Sequence, residues 1–252
     1  MLSQFLATEL YSFLLIFCRV GTAFMLLPGF GEAYVLSRAR MFIALMFSLL
    51  LVPILHNVPP MPRETFTLMT LIIAEILTGA FIGGMARMLI TAMHLAGGII
   101  AYQSSLSSAL TTDLLQGGGQ DTSLSNLLSV SAVLMIFALN LHHLMLQSLV
   151  DSYNIFLPGH FPIVQDIANL ATTTITGAFR MSMQLAAPHI VVGLMIYLSA
   201  GIIARLMPNI QIFFIILPLQ LMLSFLILMV VISSILLWYS EYFKQALSVL
   251  LT

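Results

Sequence analysis

From Phe66 to Gln103 the chain is almost unbroken apolar sequence, with Glu75, Arg87 and His94 as its ionisable groups. A helix of about 20 apolar residues crosses a bilayer. This stretch is therefore long enough for two crossings or for one long bent helix. In lipid the backbone must satisfy its own hydrogen bonds, which favours helix over any open strand. Small residues punctuate the run, and the Gly79-x-x-x-Gly83 spacing permits close contact with another helix.

Further apolar runs follow the same rule. Residues 10–30 carry Arg19 near the middle and end at Pro28-Gly29, and residues 41–56 are short for a span. Residues 127–150 form a span ending in Asn140, His142 and His143. Residues 175–203 are interrupted by Pro188, and residues 210–239 by Pro218. Polar connections lie between them: 31–40 with Glu32, Arg38 and Arg40, a helix-breaking loop with Pro59, Pro60 and Pro62, and a mixed segment over 151–174. The sequence ARLMPN at 204–209 reads as a tight turn, and Trp238, Tyr239, Tyr242 and Lys244 read as an interface anchor.

Composition extends this to the whole chain. Of 252 residues, 60% are hydrophobic and only 7% charged, where a soluble domain is nearer a quarter charged. The expectation is one all-α, polytopic membrane domain over 1–252. A net charge of −1 argues against a nucleic-acid partner. The single cysteine, Cys18, allows no intrachain disulfide and reads as a small buried apolar residue. The opening MLSQFLATEL has no Lys or Arg before its apolar run, so no cleaved signal peptide is expected.

One segment departs from this pattern. Residues 104–126, SSLSSALTTDLLQGGGQDTSLSN, combine hydroxyl and amide side chains with Asp113, Asp121 and three consecutive glycines, Gly117, Gly118 and Gly119. Bare lipid would leave such a segment's polar groups unpaired, so it must reach water or be held by protein. Leu106, Leu110 and Leu114 fall at i, i+4 and i+8, which on a short helix would make one apolar stripe. The glycines permit backbone angles that other residues resist and read as a hinge. The segment reads as the working part and the helices as its mount.

Ionisable residues inside apolar runs are costly in lipid and face a bundle interior or a cavity. Arg19, Glu75, Arg87, Arg180 and Arg205 are expected as buried structural charges facing protein or water; His94 and His189 share the position. Ion pairing or snorkelling is the ordinary role, and a substrate or proton path is the alternative. Orientation by positive residues conflicts: Arg38 and Arg40 claim the cytoplasmic side, and Arg63 then falls on the other. That conflict suits helices packed in a larger assembly.

Catalytic signatures are missing. The sequence contains no H-E-x-x-H, no G-x-S-x-G and no G-x-x-x-x-G-K-[ST]. His142 and His143 point about 100° apart on a helix, so one metal would need other ligands. No enzyme activity, cofactor or metal is expected. An intramembrane enzyme using His142, His143 and Asp151, and a secondary transporter using the intramembrane arginines, remain as alternatives. Transporters often show two similar halves, and no convincing internal repeat is visible.

Several segments, in order, carry a resemblance: CRVGTAFMLLPGFG at 18–31, EILTGAFIGG at 75–84, AGGIIAYQSSLSSAL at 96–110, LHHL at 141–144 and ARLMPNIQIFFIILP at 204–218. Together they resemble the FliR family of flagellar type III export-gate proteins, whose counterpart in virulence secretion is SctT. The resemblance covers roughly 10–245. One departure is that Asn209 and Gln211 stand exchanged relative to the order often seen in the family.

The resemblance implies bent helical hairpins within a hetero-oligomeric export gate in the bacterial inner membrane, at the flagellar basal body. FliP-like and FliQ-like subunits would be its direct partners, with FlhB-like and FlhA-like membrane proteins beside them and unfolded export substrates as cargo. Residues 1–174 would correspond to a FliP-like part and 175–245 to a FliQ-like hairpin. The loop at 104–126, with Leu106, Leu110, Leu114, Gly117, Gly118 and Gly119, would help close the pore. The flagellar branch is favoured and the virulence branch is the alternative.

Overall fold

The computed structural model describes residues 2–32, 34–55, 59–62, 64–104, 123–159, 164–207 and 211–249. They form helices α1 (Leu2–Leu26), α2 (Ser37–Leu51), α3 (Thr65–Gln103), α4 (Ser123–Ala138), α5 (Leu141–Ile155), α6 (Val164–Leu206) and α7 (Ile212–Val249). There is no strand among the described residues. Four helical stretches are long and apolar enough to cross a membrane: Glu9–Leu26, Thr65–Gln103, Ile167–Leu206 and Phe214–Ser248. The α4–α5 pair, bent at its break, would make a fifth.

Two of the sequence expectations change, and of the two readings open for the run at 66–103 the single helix holds. Its 39 residues rise about 58 Å, well beyond the ~30 Å of hydrocarbon. The run at 127–150 is two helices, parted at Leu139–Asn140, where Asn140 adopts a left-handed backbone with φ 57°. Asn tolerates that region better than most residues. Finally, α6 starts at Val164 and runs through Pro188, and α7 runs through Pro218. One proline removes a single ladder bond, a loss that long apolar helices tolerate. The Thr-rich start of α6 is helical as well, and the Thr172 and Thr173 hydroxyls are satisfied there by donating back to the carbonyls of Ala168 and Asn169.

The chain forms two compact units, each discontinuous in sequence. The first comprises Met1–Leu89, Leu139–Ile175 and Lys244–Thr252. Its core gathers Ile16, Val20, Ala23, Phe24, Ala44, Leu51, Ile82, Leu149 and Tyr153. Phe24 lies edge-on to Phe30 and Phe47, with ring centroids 5.2 and 5.6 Å away. The Gly79-x-x-x-Gly83 ridge packs on α1. A Cβ on Gly83 would lie 2.7 Å from the Ala23 carbonyl oxygen, and one on Gly79 would collide with the Arg19 carbonyl and the Thr22 hydroxyl. The spacing is thus a true close-contact ridge. Gly29, at φ 81°, turns the chain after α1 in a conformation that favours glycine.

The second unit comprises Ile90–Ala138 and Thr176–Phe243. Met93, Ala96, Ile100, Leu128, Ala132, Ile136, Leu185, Tyr239 and Phe243 are fully buried there or nearly so. Here too glycines set close approaches. A Cβ on Gly97 would sit 2.6 Å from Ser125 Cα, and one on Gly177 would sit 2.9 Å from the Tyr242 hydroxyl oxygen.

Candidate functional site

In the first unit, Arg19 and Glu75 meet inside the core, with 0% and 1% of their surfaces exposed. Arg19 Nε donates to Glu75 Oε2 at 2.6 Å and Nη2 donates to Oε1 at 3.1 Å, a fork-to-fork pair. The remaining donors reach the end of α5. Nη1 donates to the Ser152 carbonyl at 3.2 Å and Nη2 to the Phe156 carbonyl at 3.1 Å. Cations suit helix C-termini, where carbonyls lack intrahelical partners. Glu75 Oε1 also accepts the Gly159 N–H at 2.8 Å, and the guanidinium lies 4.1 Å from the centroid of the Tyr153 ring. All this follows from the glycine ridge. Glu75 stands one helical turn before Gly79, which touches the backbone of Arg19. The cluster is saturated, and its chemistry is to lock α1, α3 and α5 together.

In the second unit, the polar groups gather at Ser104, the last described residue before the 105–122 stretch. A cavity there is lined by Gln103, Ser104, His189, Val192, Gly193, Ile196, Gln220, Ser224 and Ile227. The Gln220 side-chain amide donates to the Gln103 carbonyl and reaches the Tyr197 hydroxyl at 3.3 Å. Gln103 lies at the end of α3, where a free carbonyl needs a donor. Ser104 is buried, its hydroxyl donating to the Ile100 carbonyl at 2.7 Å. Gly193 lets α6 approach, since a Cβ there would overlap the Gln103 side chain. His189 is 3% exposed, and neither ring nitrogen has a hydrogen-bond partner of ordinary geometry, although the Ser224 backbone lies near. On the other side of the stretch, Gly97 of α3 abuts the Leu124–Ser125 backbone at the start of α4. Residues 105–122 thus leave from and return to a frame of α3, α4, α6 and α7.

Leu106, Leu110, Leu114, Gly117, Gly118 and Gly119 lie outside the described residues. Of the five charges expected to be buried, Arg19 and Glu75 are buried together. The other three are exposed among the described residues. Arg87 is 46% exposed, with its nearest Glu32 oxygen at 4.0 Å, a separation and exposure that stabilise little. Arg180 and Arg205 are exposed as well. His94 meets the Ser129 hydroxyl at 3.3 Å.

No group of three or more metal-ligating side chains occurs among the described residues. His142 and His143 lie with ring centroids 4.2 Å apart and their planes tilted by 36°. Asp151 follows on the same helix, α5, roughly 12 Å along its axis, so the three do not form one centre. The sequence reading missed Ser152, Phe156, Gly159 and Tyr153 around Arg19, and Gln103 and Gln220 at the loop frame. Each is an unremarkable residue type until the fold brings it to its partner.

The comparisons agree with this architecture. Residues 10–246 match the model of the family described as bacterial export proteins, family 1. The chain is 35% identical over 244 residues to the flagellar biosynthetic protein FliR of Caulobacter vibrioides, covering 96% of this chain and 97% of that one. It is 29% identical over 227 residues to the protein of that name from Bacillus subtilis, covering 89% and 87%. To the Escherichia coli protein it is 27% identical over 194 residues, covering 77% and 74%. A match that takes in nearly every described helix, from the middle of α1 to the end of α7, makes this chain a member of bacterial export protein family 1.

Proposed function

We propose that this chain is a subunit of the flagellar type III protein export gate in the bacterial inner membrane, at the flagellar basal body. It forms part of the pore that passes unfolded flagellar substrates. The observation that carries this reading is the 35% identity to a flagellar FliR protein across 96% of the chain. Helices longer than a bilayer is thick, and the exposed Arg180 and Arg205 among the described residues, support a place inside an assembly. FliP-like and FliQ-like subunits are its neighbours, with FlhB-like and FlhA-like proteins nearby. Residues 1–174 play the FliP-like part and 175–245 the FliQ-like hairpin. Its role is structural and gating, with no reaction of its own.

The plug belongs to the same proposal. Residues 104–126 obstruct the pore at rest, sealing with Leu106, Leu110 and Leu114 and swinging on Gly117, Gly118 and Gly119. The frame at Gln103, Ser104 and Ser125 supports this reading by holding both roots of the segment.

Removal of the coding sequence from a flagellated host tests the gate reading. Loss of motility and of filament-protein export, both restored by the intact chain, is the expected result. Export at the normal rate without the chain would refute it.

A further inference from the structure

His189 of α6 is buried and lines the cavity at the end of α3. A neutral imidazole carries one donor and one acceptor. Neither ring nitrogen has a partner of ordinary geometry among the described residues. The Ser224 backbone lies near, but a carbonyl serves only the N–H and leaves the acceptor nitrogen bare. Two donors on the cavity walls are engaged elsewhere. The Gln220 amide gives to the Gln103 carbonyl and the Tyr197 hydroxyl, and the Ser104 hydroxyl gives to the Ile100 carbonyl. A buried ring with a bare nitrogen is rare, because burial strips its water at a cost that only a hydrogen bond offsets.

The ring therefore needs a donor, and the cavity limits what supplies it. The cavity offers about 10 Å³, on a scale where one water takes roughly 10–15 Å³. That is room for one water and for no side chain. No acid and no thiol is among the lining residues, so a metal ion would have one imidazole and neutral oxygens alone. A sodium or potassium ion has no proton to give the ring. Water both donates and accepts, and a buried water bonds to several polar partners at once.

We infer that this cavity is a hydration site, in which one water molecule donates to the bare nitrogen of His189 and bonds in turn to the polar wall of Gln103, Ser104, Gln220 and Ser224. Such a water exchanges bonds in bulk for bonds in the site. Little net stability rides on it, and its importance is its place. It wets the bundle where α3 ends and the polar 105–122 stretch begins, so that stretch leaves from a hydrated root and not from a dry core. The inference does not rest on the gate reading.

The test is hydroxyl-radical labelling by a short X-ray pulse, applied to the full chain in whatever complex it forms in its membrane. The pulse makes radicals from water in place, so a buried side chain is oxidised where water touches it. Met93 and Phe243 of the same unit are fully buried among apolar neighbours and serve as the dry standard. Corrected for the reactivity of each side chain, His189 should be oxidised about tenfold faster than these two, since only it has water in contact. Oxidation no faster than theirs overturns the inference. The pulse is repeated in sodium, potassium and choline chloride. Equal labelling is expected, and protection of His189 by sodium or potassium would mean that a cation holds the site, which also overturns it. A density map of the same complex, fine enough to show ordered water, is the second measurement. It should show an isolated peak within about 3.2 Å of a His189 ring nitrogen. No peak, or density continuous with the chain there, defeats the hydration site whatever the radicals label.

Discussion

Gly79 lies so close to the Arg19 carbonyl oxygen that a methyl group on it would overlap that atom. The contact fixes the register of α1 on α3 and so delivers Glu75 to the Arg19 side chain. Gly79→Ala should destabilise the first unit by about 1–3 kcal/mol, measured by denaturant unfolding in detergent. Gly84→Ala is the control. A Cβ there meets nothing within 4 Å, so it should be neutral or stabilise by up to about 1 kcal/mol through helix propensity. Equal losses at both positions would refute the close-contact account.

The Arg19–Glu75 pair should behave as a unit. Arg19→Met or Glu75→Leu alone leaves a buried charge uncompensated and should cost about 3–5 kcal/mol. The double variant should cost clearly less than the sum. A double-mutant cycle read by thermal unfolding measures this, and additive losses would show that the two side chains do not depend on each other.

Gln220→Leu removes the donor to the Gln103 carbonyl at the end of α3. A buried carbonyl losing its partner costs about 1–3 kcal/mol. The loss should be local, so hydrogen exchange should rise at Gln103 and Ser104 while the amides around Arg19 keep their protection. Uniform acceleration in both units would argue against a local anchor.

His189 should respond in the opposite sense. Its ring is buried without hydrogen bonds of ordinary geometry, and an apolar replacement of similar reach gives up little. His189→Leu should leave the unfolding midpoint unchanged or raise it. A clear fall would mean that the ring does hold a polar partner in this cavity.

Deleting 106–120 should leave the gate assembled and make the membrane leak ions and small solutes. Gly117→Leu together with Gly118→Leu should slow export while the chain remains in the complex. Vesicle conductance and secreted filament protein are the two measurements. Background conductance from an assembled deletion gate would remove the segment from the seal.

The long apolar helices were plain in the sequence because run length alone specifies them. The early start of α6 was not, since its Thr residues read as loop until their hydroxyls are seen bonding back along the helix. Asn140 gave no warning either: one left-handed asparagine parts α4 from α5 without Pro or Gly. Arg19 and Glu75 stood out as opposite charges in apolar runs. Their pairing depends on the register at Gly79, which no residue-type rule supplies. The polar frame at Gln103 was hidden for a similar reason, as Gln220 is 117 positions away.

Arg19 also sets a schedule. Its first partner, Glu75, comes 56 residues later, and its last, the Phe156 carbonyl, 137 residues later. At about 5–20 residues per second, a ribosome needs roughly 7–27 seconds to make that interval. For the first 56 residues of it α1 holds a cation with no native counter-charge, and until α5 follows the lock lacks its carbonyls; a bare cation does not settle in hydrocarbon. The first helix synthesised is therefore among the last to be finished, and the nascent chain must wait in a hydrated or chaperoned place until α5 emerges to close the lock.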